Sequence, residues 1–367
     1  MSEVIKLAAV GDIALSHEYN NLLISKDSSF PFENVRSYFN EHDIVVANLE
    51  APFCKTGKTY PLKCSLRADP EYLYGLIKAG IDIVSLANNH ILDYREDAFF
   101  ETIFILKKSP LDYFGAGKNL SDARQPLIKE ISGIKIGFLG YCAVNIDSPF
   151  YASSEGRGIA PLILEYLEAD IVELKKHVDV VIITLHWGIE NCSYPTPLQQ
   201  KQARQILRYG ADLILGHHPH VLQGLEKYEN GYIAYSLGNF IFSDIDWSWI
   251  NSAGNKMHSK VILTKKNRET MILSATIGKE GVKEISCSPC FIDGNGQVQL
   301  LDQNHPINKQ LKKLSAKLYC RDYSLFWLFY NKLREINDKI KTFGNKFKKI
   351  YKLRPHHVGK FIKYISR

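Results

Sequence analysis

The chain has 367 residues, of which 45% are hydrophobic and 23% charged, a composition typical of a globular protein with one large domain or two modest ones. No apolar stretch approaches the roughly 18–20 residues that span a bilayer, which gives no sign of a transmembrane segment. The first residues turn polar too early for a signal peptide, so we expect a cytoplasmic location, either free or peripheral on a membrane. Seven scattered cysteines, an odd number, argue against a disulfide framework.

Apolar runs and helical segments alternate over the first 215 residues. The runs are β-branched and continuous, which predicts strands covered on both faces: Val4–Val10, Asp43–Ala47, Ile81–Ala87, Val178–Leu185 and Ala211–Leu215. Helical spacing, Pro near the start and Gly near the end predict the helices Pro70–Gly80, Asp93–Lys108, Leu162–His177 and Thr196–Gly210. This alternation predicts an α/β domain with a covered, largely parallel sheet.

The pattern changes after residue 215, where strands follow one another without helices between them. The predicted strands are Tyr232–Ser236, Lys260–Thr264, Met271–Ile277 and Val282–Phe291. They either form a second sheet or extend the first one antiparallel.

The C-terminal segment 305–367 carries the positive charge of the chain. It has 17 Lys/Arg and three Asp/Glu, a net +14, whereas the whole chain carries +7, so residues 1–304 carry −7. Apolar residues recur at every third or fourth position of this segment. This spacing predicts a basic amphipathic helical tail that follows a domain of residues 1–304. The tail could bind an anionic membrane surface or a partner, or pack back on the domain. No nucleic acid is expected as a partner, because the basic segment contains no motif that is typical of nucleic-acid recognition.

The five early strands all end in residues that can bind metal ions. Ligands of open α/β sheets lie beyond the carboxyl ends of the strands, so these side chains should meet at one rim. Carboxylate, amide and imidazole groups together suit divalent cations. The candidate metal ligands are Asp12, Glu50, Asn89, His186, His218 and His220.

Two histidines beside these ligands are interpreted differently. His90 follows Asn89 and is the candidate acid or base. We leave His217 out, because in an extended segment it faces away from its neighbours His218 and His220. Alternatively, Asn89 and His90 cap the following helix, and His186 is a packed core histidine.

Four weaker candidates could contact a substrate: Asn48, Lys63, Arg67 and Asn239. Asn48 and Asn239 end strands, where a turn is an equally good explanation, while Lys63 and Arg67 could bind an anion. The chain has no G-x-S-x-G elbow and no Walker-type phosphate loop, so other common catalytic schemes have less support.

The ordered motifs resemble the CapA family of poly-γ-glutamate capsule biosynthesis. They are VGDIAL, DIVVANLEAP, GIDIVSLANNHILDY, YFGAGKNLSDARQP, IKIGFLGY, VVIITLHWGIE, YGADLILGHHPHVLQGLEKY and IAYSLGNFIF, over about residues 5–242. The resemblance implies a calcineurin-like metallophosphoesterase fold, a four-layer α/β/β/α sandwich with two divalent ions (Mn, Zn, Fe or Mg) at one rim. It implies that Glu50 bridges the ions and that His90 protonates the leaving group. Ala14 stands where an Asp-x-His motif would have its histidine, which puts the first metal position in question.

The implied function is that of a metal-dependent hydrolase, which would attack a phosphoester or amide bond beside capsule or exopolymer synthesis machinery. Two alternatives stay open: a non-catalytic, membrane-associated assembly subunit, and a housekeeping phosphodiesterase or nucleotidase.

Overall fold

The computed structural model describes residues 4–60, 63–144, 150–250 and 254–351 of the chain, with side chains described up to residue 337. Its first nine strands are β1 Ile5–Ile13, β2 Ile44–Leu49, β3 Ile83–Ser85, β4 Asp112–Phe114, β5 Ala116–Gly117, β6 Leu127–Ile131, β7 Ile134–Cys142, β8 Gly158–Ile159 and β9 Val180–His186. The remaining strands in these ranges are β10 Leu213–His217, β11 Leu225–Tyr228, β12 Gly231–Ala234, β13 Asn239–Ile241, β14 Ile245–Ile250, β15 Lys256–Val261, β16 Glu269–Gly278, β17 Gly281–Ile292 and β18 Val298–Leu300.

The α-helices in the same ranges are α1 Glu18–Leu22, α2 Arg36–Phe39, α3 Leu73–Ala79, α4 Arg95–Lys107, α5 Leu120–Ala123, α6 Leu164–Leu174, α7 Pro197–Arg208, α8 Lys265–Arg268, α9 Pro306–Leu318 and α10 Tyr323–Tyr351. Short 3₁₀ turns cover Phe30–Phe32 and Pro70–Tyr72. The four predicted helices correspond to the Pro70–Tyr72 turn with α3, and to α4, α6 and α7. Helix α7 begins as its sequence indicates: the Thr196 hydroxyl accepts from the Gln199 amide (3.1 Å), and Gln199 Oε1 accepts from the Thr196 amide (2.9 Å).

The strands form two large sheets and two small two-stranded ones. The first large sheet has the order β18-β17-β16-β1-β2-β3-β4, with β13 also paired to β1. Strands β1 to β4 and β13 run parallel to one another, whereas β16 pairs antiparallel with β1 and with β17, and β17 pairs antiparallel with β18. The second has the order β11-β12-β10-β9-β7-β6, with a parallel centre of β7, β9, β10 and β12.

The two sheets pack face to face with helices outside. Leu7 and Val46 of the first sheet share one buried core with Phe138, Ile182 and Leu215 of the second. The other side of the first sheet packs against α3 and α4 in a second core. Helices α6 and α7 cover the outer side of the second sheet and contact each other. These layers are the α/β/β/α sandwich implied by the resemblance, so the fold prediction is confirmed.

Alternation of strands and helices did not reveal that the early strands belong to two sheets. Strands β1 to β4 lie in the first sheet, and β7, β9 and β10 in the second. The strands predicted at Met271–Ile277 and Val282–Phe291 lie within β16 and β17 and extend the first sheet antiparallel, one of the two expected outcomes.

The strand predicted at Lys260–Thr264 is wrong in its position. Strand β15 already ends at Val261, and the short helix α8 follows. The side chain of Asn267 accepts a hydrogen bond from the Thr264 amide (3.0 Å), so Thr264 begins a helical turn instead of ending a strand.

The structure divides the C-terminal segment at a different residue from the one at which its composition changes. A first compact unit ends at Tyr319 and a second begins at Cys320, beyond the expected boundary at 304/305. Helix α9 belongs to the first unit because it buries Ile307, Leu311, Leu314 and Leu318. Helix α10 lies in the second unit, and residues 352–367 of the predicted tail lie outside the described residues. None of the helices in the described part of the chain combines the length and apolarity that crossing a membrane requires.

Candidate metal centre

The ends of parallel strands from both sheets meet at one rim of the sandwich. Asp12 on β1 is in register with Asn48 on β2 and with Asn239 on β13. In the second sheet, His186 at the end of β9 is in register with His217 at the end of β10. The polar strand ends of the two sheets therefore converge, as the sequence indicates.

Close backbone packing at Gly11 fixes the position of Asp12. A Cβ atom at Gly11 would lie 1.9 Å from the carbonyl oxygen of Gly238, so no larger residue fits without displacing one of the two segments. The Asp12 amide donates to that same carbonyl at 3.0 Å. Glycine therefore allows β1 to approach Gly238 closely enough to hold the Asp12 backbone in place.

Asp12 is fully buried and surrounded by donors. Its Oδ1 accepts from Asn48 Nδ2 (2.9 Å), and its Oδ2 accepts from the His218 amide and lies 3.3 Å from His220 Nδ1. Burial opposes ionisation, but hydrogen bonds and charge from His217 and His220 prevail, and the pKa of Asp12 lies well below its ordinary value. Asp12 is therefore an ionised carboxylate inside the protein.

Glu50 is a buried carboxylate without a hydrogen-bond partner. It is 0% exposed, and neither Oε1 nor Oε2 accepts a hydrogen bond. The nearest ring nitrogens are His186 Nε2 at 3.3 Å and His220 Nε2 at 3.8 Å from Oε1. Burial, and next the charge of Asp12, raise the pKa of Glu50 well above its ordinary value. A carboxylate buried in this way is unfavourable unless a cation completes its surroundings.

Three histidines face these carboxylates. The ring centroids of His186 and His218 lie 4.9 Å apart, and those of His218 and His220 lie 5.7 Å apart. Burial is the main cause that lowers the pKa of His186 well below its ordinary value and that of His218 to about 3. Both rings are therefore neutral, the form in which imidazole binds metals.

His220 has the opposite charge preference. Burial disfavours its charged form, but Glu50 and Asp12 outweigh burial and raise the pKa of His220 to about 10. Its Nδ1 also lies 2.8 Å from Asn239 Oδ1. A cation bound between His220 and these carboxylates would replace the proton that the ring holds in its absence.

The expectation that His217 faces away is wrong. Its Nδ1 lies 3.2 Å from Asp12 Oδ1, and the residue is only 2% exposed. Side chains alternate in direction only along an extended strand, and the chain turns after β10. His218 and His220 have φ of 93° and 55°, so neither is extended. His217 thus contacts the site from inside the second sheet.

His90 belongs to a hydrogen-bonded chain beside the cluster. His90 Nδ1 lies 2.7 Å from Asp93 Oδ2, and the other oxygen of Asp93 pairs with Lys63. Lys63 also donates to the carbonyl of Asn89 at 2.6 Å. The His90 side chain is 12% exposed. Asp93 was not among the candidates, although its place three residues after His90 in a polar turn was a usable signal.

The alternative that Asn89 and His90 cap a helix does not describe this turn. The Asn88 side chain makes those bonds: its Oδ1 accepts from the amides of His90 (3.1 Å) and Ile91 (3.0 Å). The Asn89 side chain instead points to His186, with 2.7 Å between its Oδ1 and His186 Nε2.

The four weaker candidates for substrate contact mostly bond to other residues of the protein. Asn48 and Asn239 are fully buried beneath the cluster, where Asn48 bonds Asp12 and Asn239 contacts His220. Arg67 donates to the carbonyl of Lys55 and lies over the Tyr94 ring. Lys63 is the candidate directly connected to His90, through Asp93.

The cluster is compatible with a metal site. Two of the sets of ligand atoms that lie within 4.8 Å of one another are Glu50, His186 and His218, and Asp12, Glu50 and His220. Bonds of about 2.0–2.2 Å to a shared ion hold ligand atoms no more than about 4.4 Å apart, so small side-chain shifts bring these sets to that spacing. The unpartnered atoms point to the same conclusion, because Nδ1 of His218 is buried without a hydrogen bond, like both oxygens of Glu50. Ala14 is buried and supplies no ligand.

An α/β/β/α sandwich with Asp, Glu, Asn and His gathered at the carboxyl ends of its strands defines a protein of the metallophosphoesterase fold. Among solved structures, a phosphatase from Mycoplasma pneumoniae aligns with a TM-score of 0.50 and 15% identity, over 79% of this chain and 94% of that one. At this identity the likeness concerns the fold alone.

The model of the bacterial capsule synthesis protein family PGA_cap matches residues 6–244, and the chain belongs to this family. It is 32% identical over 255 residues to the capsule biosynthesis protein CapA of Bacillus anthracis, across 67% of this chain and 62% of the relative. It is 34% identical over 249 residues to the PGA biosynthesis protein CapA of Bacillus subtilis, across 67% and 65%. The resemblance seen in the motifs is confirmed. The match spans slightly less than two thirds of each relative's length.

Proposed function

We propose that this protein is a metal-dependent hydrolase of capsule or exopolymer biosynthesis, with two divalent ions that share Glu50. The observation that carries the proposal is the Glu50 carboxylate, fully buried without a hydrogen-bond partner among three histidines. The connection to capsule synthesis is supported by the names of the Bacillus relatives.

In this proposal Glu50, His186, His218 and the Asn89 amide oxygen would hold one ion, and Asp12, Glu50 and His220 would hold the other. Such a pair lowers the pKa of a bound water and stabilises negative charge on oxygens of the transition state. The mixed nitrogen and oxygen ligands suit Mn, Fe or Zn better than Mg. Asn48 and Asn239 hold the ligands Asp12 and His220 in position.

His90 is the proposed acid. Because its Nδ1 faces Asp93, its Nε2 can hold a proton for the leaving group, whether that group is the oxygen of a phosphoester or the nitrogen of an amide. Lys63 keeps the Asp93 carboxylate in place. Arg67 lies further out and would contact an anionic substrate only with a change of its side-chain position.

A non-catalytic assembly subunit is the second candidate, and Ala14 favours it because the chain lacks a histidine where the first metal position would use one. In either case we propose that the partner is capsule or exopolymer synthesis machinery. We also propose the exposed apolar residues of α10 among its Lys and Arg residues as the contact with an anionic membrane surface.

The test measures Mn²⁺ content and hydrolysis of a generic phosphodiester and of a γ-glutamyl anilide. We expect the wild type to cleave one of them, His218→Ala to lose metal and activity, and His90→Ala to keep metal but lose about 10²–10⁴-fold in rate. His258→Ala, an exposed histidine on β15, is the control and should behave as wild type. A metal-loaded wild type that cleaves neither substrate would favour the assembly subunit.

A further inference from the structure

Glu190 lies at the outer side of the metal centre on a short loop after β9. Its side chain is exposed, and within the described residues its carboxylate has no hydrogen bond or ion pair. The proposed function gives it no role. Its ligand atom nevertheless lies within 4.8 Å of ligand atoms of both His218 and His220.

The loop that carries Glu190 is fixed to the histidine segment on both sides of the residue. Before it, the Trp187 amide donates to the carbonyl of His217 at 3.1 Å, and after it the Asn191 amide donates to the carbonyl of Pro219 at 2.8 Å. These bonds hold the backbone on both sides of Glu190 relative to the histidines.

A side-chain clamp reinforces the same arrangement. Asn267 donates to the Asn191 side-chain oxygen at 2.7 Å and to the carbonyl of His220 at 3.1 Å. Asn267 is itself buried. One amide group thus joins the residue after Glu190 to one of the histidines that Glu190 faces.

A second observation indicates that this group of three residues binds a ligand. His218 is 4% exposed, and its Nδ1 is buried without a hydrogen-bond partner. His218 and His220 are thus two buried or half-buried imidazoles that face one exposed carboxylate. A carboxylate on the solvent side is a chemically suitable ligand for a divalent cation.

We propose that Glu190 is a metal ligand that, from the solvent side and together with His218 and His220, helps to hold a divalent ion of this centre. This inference rests on the proposed two-ion centre and extends it. An added carboxylate gives the centre more oxygen ligands and favours a harder ion such as Mn²⁺.

The test is a titration of metal-free protein with Mn²⁺, followed by calorimetry and by electron paramagnetic resonance. Glu190→Gln keeps the shape of the side chain and removes its charge. We expect it to bind one of the two ions at least tenfold more weakly and to lose the resonance signal of a coupled Mn²⁺ pair. Glu280→Gln, an exposed glutamate in the turn between β16 and β17, is the control and should match wild type.

The outcomes separate this inference from the proposed function. If wild type binds two ions and Glu190→Gln binds both equally well with the same coupled signal, the Glu190 inference is overturned and the hydrolase proposal stands. If wild type binds no Mn²⁺, both fall together. The metal-free variants should have the same Tm as wild type, because Glu190 is exposed and unpaired, so a folding defect would not imitate the expected result.

Discussion

Replacement of Glu50 by glutamine should stabilise the metal-free protein. The wild-type carboxylate is 0% exposed and has no hydrogen bond, and glutamine has nearly the same size without the charge. Both side chains lack partners, and an unsatisfied buried group costs about 1–3 kcal/mol when neutral and more when charged, so the change removes the excess cost of the charge. We therefore expect metal-free Glu50→Gln to gain about 1–3 kcal/mol at pH 7.5, a rise in Tm of a few degrees.

The gain should depend on pH in a defined direction. The pKa of Glu50 is raised in the folded state, whereas in the unfolded chain it is about 4.3. Above that value the unfolded chain has released a proton that the folded protein still holds, so the wild type loses stability as the pH rises towards the folded pKa. Glutamine does not titrate, and its advantage should therefore shrink between pH 7.5 and pH 5.

The assay is thermal unfolding of protein treated with EDTA, with and without added Mn²⁺. Mn²⁺ should raise the Tm of wild type and leave Glu50→Gln unchanged, because binding to the folded state alone stabilises it. The matched control is Glu226→Gln, also buried but paired with Arg204 (2.6 Å) and the Tyr235 hydroxyl (2.7 Å), which should destabilise the protein. A metal-free Glu50→Gln that unfolds as early as Glu226→Gln would refute the reasoning.

Three further predictions concern the same rim. Asp93→Asn should keep its metal but lose roughly 10²-fold or more in kcat, because His90 loses the carboxylate that orients it; steady-state kinetics and metal analysis check this. Gly11→Ala should lower the Tm by a few degrees and reduce Mn²⁺ content, since its Cβ would meet a backbone carbonyl at 1.9 Å, whereas Gly294→Ala has nothing within 4 Å and should not. Because the pKa of His220 is raised to about 10, Mn²⁺ binding at pH 7.5 should release protons and strengthen with rising pH, as calorimetry in buffers of different ionisation enthalpy would detect.

The rim could be predicted from the sequence because strand ends are a local signal. Asp12, Asn89 and His186 each follow or end an apolar run, and parallel strands bring such ends together whichever sheet they occupy. The division into two sheets had no local signal: β3 and β9 have the same covered apolar pattern, although one lies in each sheet. Only the resemblance to a known family predicted a sandwich of two packed sheets.

Turns, loops and sheet packing explain why some site residues could not be predicted correctly from the sequence. His217 was left out because alternation holds for extended chain, and the positive φ of His218 ends that regularity. Glu190 comes close to the histidines through a loop fixed by tertiary hydrogen bonds, which no spacing rule describes. Asn48 was expected at a substrate surface, but the packing of the two sheets buries it completely.

The most direct test of the metal centre is anomalous diffraction at the manganese edge from crystals soaked in Mn²⁺. The account predicts two peaks on either side of the Glu50 carboxylate, one beside His186 and His218 and one beside Asp12 and His220. An occupied surface site elsewhere with no anomalous peak within bonding distance of Glu50 would contradict it.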